Sequence, residues 1–462
     1  MDNPASLSDS SSPGLANRLG LLRRLWLARF REHLQFDSRT TGFAAAWVAV
    51  AAAFGFSLAG RNRRALDFLT WAHRSGRSSS ARRLTERVLA APMVNDRPSV
   101  NRRVAAAYDE YLTSITSGAG HLHPSNLIGS RLIVLKSPAE RERGVIVIDY
   151  TYVFPLFARF CDLAALGKRY YIVLEPSWVG YCTPEILVYS RIGEPVFVQT
   201  NEPPDATFLK RISPNLIQVP IVSNWWIDHR VMRPVPGIAR DIDVAMVAGW
   251  ARFKRHDRFF AALARLRRNG IRLKVLLIGY PVDGSMTKDD LYLLAKYFGI
   301  SDQLEIHEHL QPAQVARQLN RSKIHVLWSR REGSNKAIIE AMLAGVPGIL
   351  REGYNYGYHY PYINPQTGRF ASEDTLPATM ISMIEHLDDF APRAWIMEHM
   401  TPRIATSILG DRIRKVALQR GEAWTSDLVV KTKSLNNMSY WDPDDASRFA
   451  SDYAYIRSIM RH

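Results

Sequence analysis

The chain has 462 residues, of which 47% are hydrophobic and 23% are charged. These fractions are typical of folded globular proteins and exclude a disordered, collagen-like or disulfide-stapled chain, and the length allows about three domains. Sixty Lys and Arg against 44 Asp and Glu leave a net charge of +16, which predicts an anionic partner.

The first quarter of the chain is basic and helical in pattern. Residues 1–15 are rich in Ser, Pro and Asp, which predicts a disordered tail without a secretion signal. Residues 16–120 are predicted to be helical. Within 1–120 there are seventeen Arg, no Lys and nine acids. The stretch from Leu15 to Leu34 predicts a basic amphipathic helix, which either docks on an anionic membrane surface or presents a solvated basic face.

The stretch from Gly42 to Gly60 contains no charged residue and is long enough to span a membrane. Alanine and glycine fill more than half of it, and small residues continue at helical spacing to Ala72. This pattern resembles a tetratricopeptide-like helix hairpin. We therefore favour a buried hairpin and keep a membrane span as the alternative, with a further helix predicted at Ala81–Ala90.

Residues 125–235 predict a first α/β domain. Apolar and β-branched runs alternate with helical patterns at Val153–Leu166 and Thr183–Tyr189, as parallel strands with crossover helices do. Pro234 and Pro236 then mark a linker. The predicted strands are Arg131–Leu135, Val145–Ile148, Tyr170–Leu174, Val196–Gln199 and Leu216–Val219.

Residues 240–400 predict a second α/β domain with a more regular alternation. Ligands bind at the carboxyl ends of strands in such sheets, so we expect the site between the two domains. Residues 402–462 end in a predicted helix, Ala446–Met460. The predicted strands are Val244–Ala248, Leu273–Ile278, Leu304–His307, Ile324–Trp328 and Gly348–Leu350, and the helices are Asp257–Arg268, Asp289–Phe298, Pro312–Leu319 and Lys336–Ala344.

A strand, a short polar turn and a helix follow one another around residue 333. Gly333, Ser334 and Asn335 form the turn. Glycine lets backbone amides approach a ligand, Ser or Asn can cap the helix, and the helix N-terminus carries the positive end of its dipole. This order predicts an anion at the turn.

Glu332 and Glu340 bracket that turn, with seven residues between them. In a fully helical segment they would lie about 12 Å apart, which exceeds the roughly 5–9.5 Å of a glycosidase acid/base pair. We expect them instead to hold hydroxyl groups on either side of a diphosphate. A nucleotide sugar has that layout.

The pair resembles the E-x(7)-E motif of the retaining group-1 glycosyltransferases of the GT-B fold. Similar segments lie upstream, at Val247–Asp257 with Arg252, Lys254 and Arg255, and at Leu276–Gly279. The resemblance covers about 240–370. It implies two tandem Rossmann-like domains, here preceded by an α-helical region, and a last helix that crosses back to the first domain.

The resemblance also implies roles for these residues. Glu332 would contact the donor sugar and Glu340 the nucleotide ribose. Arg252 and Lys254 would bind the leaving diphosphate, with Arg255 competing for that position. The turn Gly333, Ser334 and Asn335 would bind through backbone amides, and Gly279 is also expected in the donor site. The resemblance further implies a nucleotide-diphosphate sugar as the donor, no required metal or other cofactor, and a glycan, a lipid-linked molecule or another molecule as the acceptor, as in polysaccharide biosynthesis.

Two features depart from the family pattern. Glu175 stands where many members carry a histidine, and an acceptor-binding, catalytic or structural role stays open for it. The aromatic loop Tyr354–Tyr360, with Tyr356 and His359, either lines the substrate site or packs within itself.

The sequence also contains two closely spaced pairs of histidines. His121 with His123, and His307 with His309, lack nearby further ligands, so no metal site is predicted.

The alternatives to transfer are a nucleotide-sugar epimerase or phosphorylase, and a non-catalytic protein that binds membrane or nucleic acid. No nucleic-acid motif is found. The expected location is cytoplasmic, with attachment of residues 16–64 to the inner face of a membrane as a further option.

Overall fold

The protein is described by a computed structural model over most of its length. The described residues are 15–34, 38–75, 78–89, 98–116, 124–178, 180–200, 202–282, 286–434 and 437–461. The predicted tail 1–15 lies outside them except for Leu15. The fold class is the predicted one, α/β with two tandem Rossmann-like sheets of mainly parallel strands after an α-helical region.

Helices α1 to α5 form the N-terminal region, and α2 and α3 pack side by side. Phe56 stacks on Phe68 with ring centroids 5.3 Å apart. The small residues Ala53, Ala65 and Ala72 are buried, as the hairpin pattern predicted. The helices span Leu15–Glu32 (α1), Arg39–Leu58 (α2), Asn62–Ser75 (α3), Ser79–Leu89 (α4) and Pro98–Thr113 (α5).

Among the described residues, α2 is the one helix long and apolar enough to cross a membrane. Its stretch Thr40–Leu58 has a mean hydropathy of 1.7, and 28% of the window is buried. The other residues include the exposed Phe43, Val48, Phe54 and Leu58. The helix therefore buries one face against its neighbours and leaves apolar side chains outside.

The first half of the α/β region contains a five-stranded sheet in the order β1-β2-β3-β4-β5. Strand β1 is antiparallel to β2, and the other neighbours are parallel. The strands are Leu132–Lys136 (β1), Gly144–Asp149 (β2), Tyr170–Glu175 (β3), Val196–Gln199 (β4) and Leu216–Val219 (β5). The helices are Pro124–Leu127 (α6), Phe154–Phe160 (α7), Leu163–Arg169 (α8), Pro184–Leu187 (α9) and Pro203–Ile212 (α10).

The helix predicted at Val153–Leu166 is in fact two helices, α7 and α8. The backbone is extended at Cys161. The Asp162 carboxylate then accepts hydrogen bonds from the backbone amides of Ala164 and Ala165 at 3.1 and 3.0 Å. An aspartate in this position caps a new helix rather than continuing the old one.

The two faces of the first sheet are covered from different parts of the chain. Right-handed crossovers between strands in simple succession place their helices on one face, and α7 to α10 lie there with α2 to α5 beyond them. The other face is covered by Ala405, Leu409 and Ile413 of a helix late in the chain, Pro402–Gln419.

The second half contains a six-stranded parallel sheet in the order β11-β10-β9-β6-β7-β8. Its own helices cover both faces. The strands are Ile242–Val247 (β6), Val275–Gly279 (β7), Leu304–Glu308 (β8), Ser322–Leu327 (β9), Gly348–Arg351 (β10) and Gly368–Ala371 (β11). The helices are His256–Arg268 (α11), Lys288–Phe298 (α12), Pro312–Asn320 (α13), Lys336–Leu343 (α14), Leu376–Glu385 (α15) and Pro392–His399 (α16).

After α16 the chain returns to the first half. The Tyr440 hydroxyl donates to the carbonyl of Val134 at 2.8 Å, and the Arg461 amide donates to the carbonyl of Phe160 at 2.6 Å. The elements are α17 (Pro402–Gln419), the antiparallel hairpin of β12 (Lys431–Lys433) and β13 (Met438–Tyr440), α18 (Asp445–Arg448) and α19 (Ala450–Ser458).

Candidate functional site

Two loops meet where the strand order of the second sheet reverses. Strands β6 and β9 are neighbours, and the chain leaves β6 toward β7 on one side and β9 toward β10 on the other. Loops that diverge in this way open a crevice at the carboxyl ends of the strands. The Arg330 amide donates to the carbonyl of Phe253 at 2.9 Å, which joins the loop after β9 to the loop after β6.

The crevice contains an ion pair between these loops. The Lys254 ammonium lies 2.8 Å from Oε1 of Glu332, and Glu332 is only 7% exposed. The Ser329 hydroxyl and the side-chain amide of Asn335 also donate to this carboxylate. Three donors thus orient a nearly buried carboxylate beside a cation.

Asn335 has a second function as the N-cap of α14. Its Oδ1 accepts a hydrogen bond from the Ile338 amide at 3.1 Å. The helix therefore begins at Lys336, so residues 332–335 are not helical and the fully helical separation of about 12 Å does not apply. Glu340 lies on α14, where burial raises the pKa of its carboxyl and Lys336 opposes the rise.

The basic residues of the β6 loop point in different directions. Arg252 is exposed, whereas Arg255 is 5% exposed and lies 3.9 Å from Glu373. Arg255 has a left-handed backbone with φ of 58°, which turns the chain from Arg252–Lys254 into α11. Lys254, rather than Arg255, therefore faces Glu332.

Residues 230–364 match the family model described as Glycosyl transferases group 1. This segment is thus similar to the group 1 glycosyl transferases. The predicted resemblance over about 240–370 is thereby confirmed, and the group 1 segment contains both crevice loops. The match supports glycosyl transfer as the class of reaction.

Several solved structures are similar to the chain. Sucrose-phosphate synthase from Thermosynechococcus elongatus is 14% identical, with 70% of this chain and 79% of that chain covered and a TM-score of 0.47. S. aureus TarM is 12% identical, with 58% and 55% covered and a TM-score of 0.45. Anabaena HepE, solved with UDP and glucose, is 14% identical, with 59% and 77% covered and a TM-score of 0.45. No curated protein matches the chain.

The first half closes directly on the turn of Gly333, Ser334 and Asn335, here called the group 1 turn. A Cβ added to Gly333 would lie 1.9 Å from the carbonyl oxygen of Ser177, so only glycine fits this contact. The Asn224 amide donates to the Ser334 hydroxyl at 2.6 Å, and the Asn224 side chain donates to the carbonyl of Asn335 at 3.1 Å. Ser177 and Asn224 were not predicted from the sequence, because neither lies in a motif.

Gly279 ends β7 beside the β6 loop. A Cβ there would lie 2.1 Å from the carbonyl oxygen of Ala248 and 2.6 Å from Nε1 of Trp250. Close packing of these two strand ends accounts for the glycine. No structural contact connects it with Glu332 or Lys254 among the described residues.

Glu175 lies in a buried cluster of charges at the carboxyl ends of β2 and β3. Lys431 and Lys433 lie 2.7 and 2.5 Å from its two oxygens, and Lys433 is also 3.2 Å from Asp149. Burial alone would raise the pKa of the Glu175 carboxyl, but the two lysines hold it well below its usual range. Burial lowers the pKa of Lys431 to about 8.

The aromatic loop of the second half is largely packed within the protein. Tyr354, Tyr360 and Tyr362 are buried, and Tyr354 and Tyr358 each meet Tyr360 edge-on. His359 is exposed and stacks on Phe370 with centroids 4.2 Å apart. The side chain of Tyr356 lies outside the described residues.

The histidine pairs do not form a metal centre in the part of the chain that the structure describes. His121 and His123 lie outside that part. His307 pairs with Glu305 at 2.6 Å, and His309 stacks on Tyr280. No group of three or more His, Cys, Asp or Glu that could hold a metal ion is found among the described residues.

Proposed function

We propose that the protein transfers a sugar from a nucleotide-diphosphate sugar to an acceptor with retention of the anomeric configuration. The observation that carries the proposal is the Lys254–Glu332 pair at the strand-order reversal, beside the capped N-terminus of α14. A cation and helix amides stabilise the charge that develops on a leaving diphosphate. Glu332 is assigned to hydroxyls of the donor sugar.

The remaining donor contacts follow from the same arrangement. The exposed Arg252 is available to the diphosphate, and the turn Gly333, Ser334 and Asn335 supplies backbone groups at the start of α14. Glu340, which lies further along α14, is assigned to the ribose hydroxyls. Arg255 is held toward Glu373 and is given a structural role in the turn.

The state of Glu175 supports retention rather than inversion. An inverting transfer needs a general base that takes the proton of the acceptor. Glu175 is the carboxylate that the sequence places in the position of the family's histidine. Two lysines occupy its oxygens and keep its pKa well below the usual range, so it is a weak base.

The acceptor is assigned to the first half, opposite the group 1 turn. Tyr152 and Trp178 follow β2 and β3 and are about half exposed. Their loops are joined because the Ser177 amide donates to the Thr151 hydroxyl at 3.0 Å. Aromatic faces of this kind stack on sugar rings, which favours a glycan acceptor. Trp178→Ala should raise the KM for the acceptor while leaving nucleotide binding unchanged.

We also infer that helices α1 and α2 contact an anionic lipid surface. Trp26 and Phe30 stack with centroids 5.4 Å apart and are 62% and 48% exposed, and Leu58 is 78% exposed. Aromatic side chains on a basic helix insert at the headgroup boundary. The full chain should float with vesicles that contain phosphatidylglycerol and not with pure phosphatidylcholine, and Trp26→Ala with Phe30→Ala should weaken that binding.

Nucleotide binding and transfer test the donor assignment. A diphosphate nucleotide at 100 times its dissociation constant should stabilise the wild type by about 2.7 kcal/mol, and Lys254→Ala should remove that shift. Glu332→Gln should lower transfer by about 100-fold to 1,000-fold, as the loss of one transition-state contact does. Product anomeric configuration is read by NMR.

Matched variants on the surface control this experiment. Lys296→Ala and Glu385→Gln change exposed residues on α12 and α15 and should leave binding and transfer unchanged. Transfer that survives both Lys254→Ala and Glu332→Gln would refute the assignment. A product formed from donor alone would indicate the epimerase instead.

A further inference from the structure

We infer that Glu202 of the first half is a positioning residue for Glu332 in the second half, acting through Tyr360 and Asn355. This inference rests on the proposed function, because it takes Glu332 as a residue that contacts the donor sugar.

Asn355 clamps the backbone of Glu332. Its Oδ1 accepts a hydrogen bond from the Glu332 amide at 3.0 Å, and its Nδ2 donates to the Glu332 carbonyl at 2.8 Å. Asn355 is 3% exposed and has a left-handed φ of 44°. Both backbone groups of Glu332 are therefore satisfied by one side chain on a different loop.

Tyr360 connects this clamp to the first half. The Nδ2 of Asn355 donates to the Tyr360 hydroxyl at 2.5 Å, and that hydroxyl donates to Oε1 of Glu202 at 2.7 Å. Tyr360 is 2% exposed and Glu202 is 8% exposed. Glu202 directly precedes α10 at the carboxyl end of β4, whereas Tyr360 follows β10. The chain of bonds thus crosses between the two sheets.

The bonds run in one direction along this chain. A hydroxyl has a single hydrogen, and Tyr360 gives that hydrogen to Glu202. Its oxygen is then an acceptor toward Asn355, so the NH2 group of Asn355 must face Tyr360 and the Glu332 carbonyl. The Oδ1 of Asn355 then faces the backbone amide of Glu332. Without Glu202, the Tyr360 hydroxyl loses this acceptor, and the partner of Asn355 is no longer anchored to the first half.

Anchoring of Asn355 matters for the chemistry, because a catalytic group must be held within a fraction of an ångström of its productive position. The Glu332 carboxylate is oriented by Ser329, Asn335 and Lys254, but its backbone is held from Asn355. Glu202 therefore makes the geometry of Glu332 depend on closure of the first half on the second.

Three variants of the full chain test the inference. Glu202→Ala and Tyr360→Phe should each lower kcat at least tenfold, while the Kd for UDP, GDP or ADP, whichever binds, changes less than twofold. Glu202→Gln should restore most of the kcat, because its amide oxygen still accepts the Tyr360 hydrogen. Glu140→Ala and Tyr292→Phe, which change exposed residues, are the matched controls.

Hydrogen exchange gives a readout that does not depend on turnover. Amides of segment 329–335 should exchange faster in Glu202→Ala and Tyr360→Phe than in the wild type, and at the wild-type rate in Glu202→Gln. Unchanged exchange in Glu202→Ala would overturn the inference, as would a Glu202→Gln variant as impaired as Glu202→Ala. If the wild type binds no nucleotide and transfers no sugar, the proposed function fails, and the exchange result still decides whether Glu202 holds the Glu332 loop.

Discussion

The two α/β halves are built on the same alternation of strand and helix but are completed differently. The second sheet reverses its strand order between β6 and β9, and its own helices cover both faces. The first sheet runs from β1 to β5 without reversal, and helix α17 from the end of the chain covers its second face. The crevice with Lys254 and Glu332 lies in the half that reverses.

This difference separates two tasks within the molecule. A reversal of strand order opens a crevice between diverging loops, whereas simple succession places all crossover helices on one face and leaves the other bare. The second half therefore brings Lys254 and Glu332 together within a single sheet. The first half depends on distant segments for its stability and supplies contacts such as Ser177 and Asn224 to the site.

The largest expected effect concerns the dependence of the first half on the C-terminal hairpin. Glu175→Ala leaves Lys431 buried without its carboxylate, and loss of one partner of a buried pair costs about 3–5 kcal/mol. Urea unfolding should show this loss, with nucleotide binding by the folded fraction unchanged. Glu140→Ala on the exposed β1–β2 hairpin should cost less than about 0.5 kcal/mol. An equally small cost for Glu175→Ala would contradict the structural role.

The contact of Glu202 between the halves predicts a dependence of stability on pH. Burial raises the pKa of its carboxyl from 4.5 to about 7, and Asp205 adds to the rise while Tyr360 and Arg331 oppose it. Because the folded state binds the proton more tightly, this stabilisation is complete below about pH 4.5 and is lost as pH rises through about 7.

Unfolding free energies of the wild type and Glu202→Gln, measured from pH 4.5 to pH 8, check this sign. Their difference should change by on the order of 3 kcal/mol over the range, with the wild type losing stability relative to the variant as pH rises. Parallel curves for the two proteins would show that Glu202 titrates normally.

Contact between the halves at the group 1 turn is tested by Gly333→Ala. The added methyl group would overlap the Ser177 carbonyl, so the halves must separate. We expect turnover to fall about 100-fold, equivalent to 2.7 kcal/mol, with cooperative unfolding retained. Gly410→Ala is the matched control, because a Cβ on this helical glycine meets only Leu428 at 3.7 Å. Full turnover in Gly333→Ala would mean that closure is not required.

The smallest effect is expected where the N-terminal region reaches the second half. Nε of Arg29 on α1 lies 2.6 Å from the Asp257 carboxylate at the start of α11. Arg29 is partly exposed, so Arg29→Ala should cost under about 1 kcal/mol and less in high salt. Arg31→Ala, on the exposed part of the same helix, should cost nothing measurable. A loss above 2 kcal/mol would show that α1 is part of the second half's folding unit.

Ten of the eleven strands in the two sheets, and helices α9 and α11 to α14, were predicted from the sequence to within two residues. Strand β11 and helices α6, α10, α15 and α16 were not predicted. Val196–Gln199 and Leu216–Val219 were predicted with the bounds that the structure has, and α14 begins at the predicted Lys336. Buried parallel strands are continuous apolar runs, so a local pattern suffices to find them. The hairpin β12–β13 was missed, because Lys431 and Lys433 read as solvated residues until the carboxylates of Asp149 and Glu175 are placed beside them.

Most strands and the polar turn at Gly333 can be recognised from the sequence alone, because each is specified by residues close together in the chain. Which side chains meet depends on the tertiary structure. Lys254 and Glu332 come together because β6 and β9 are neighbours in the sheet, and Glu202 reaches Tyr360 because the two halves close on each other. Strand order and closure result from packing across the whole chain, which no local pattern contains.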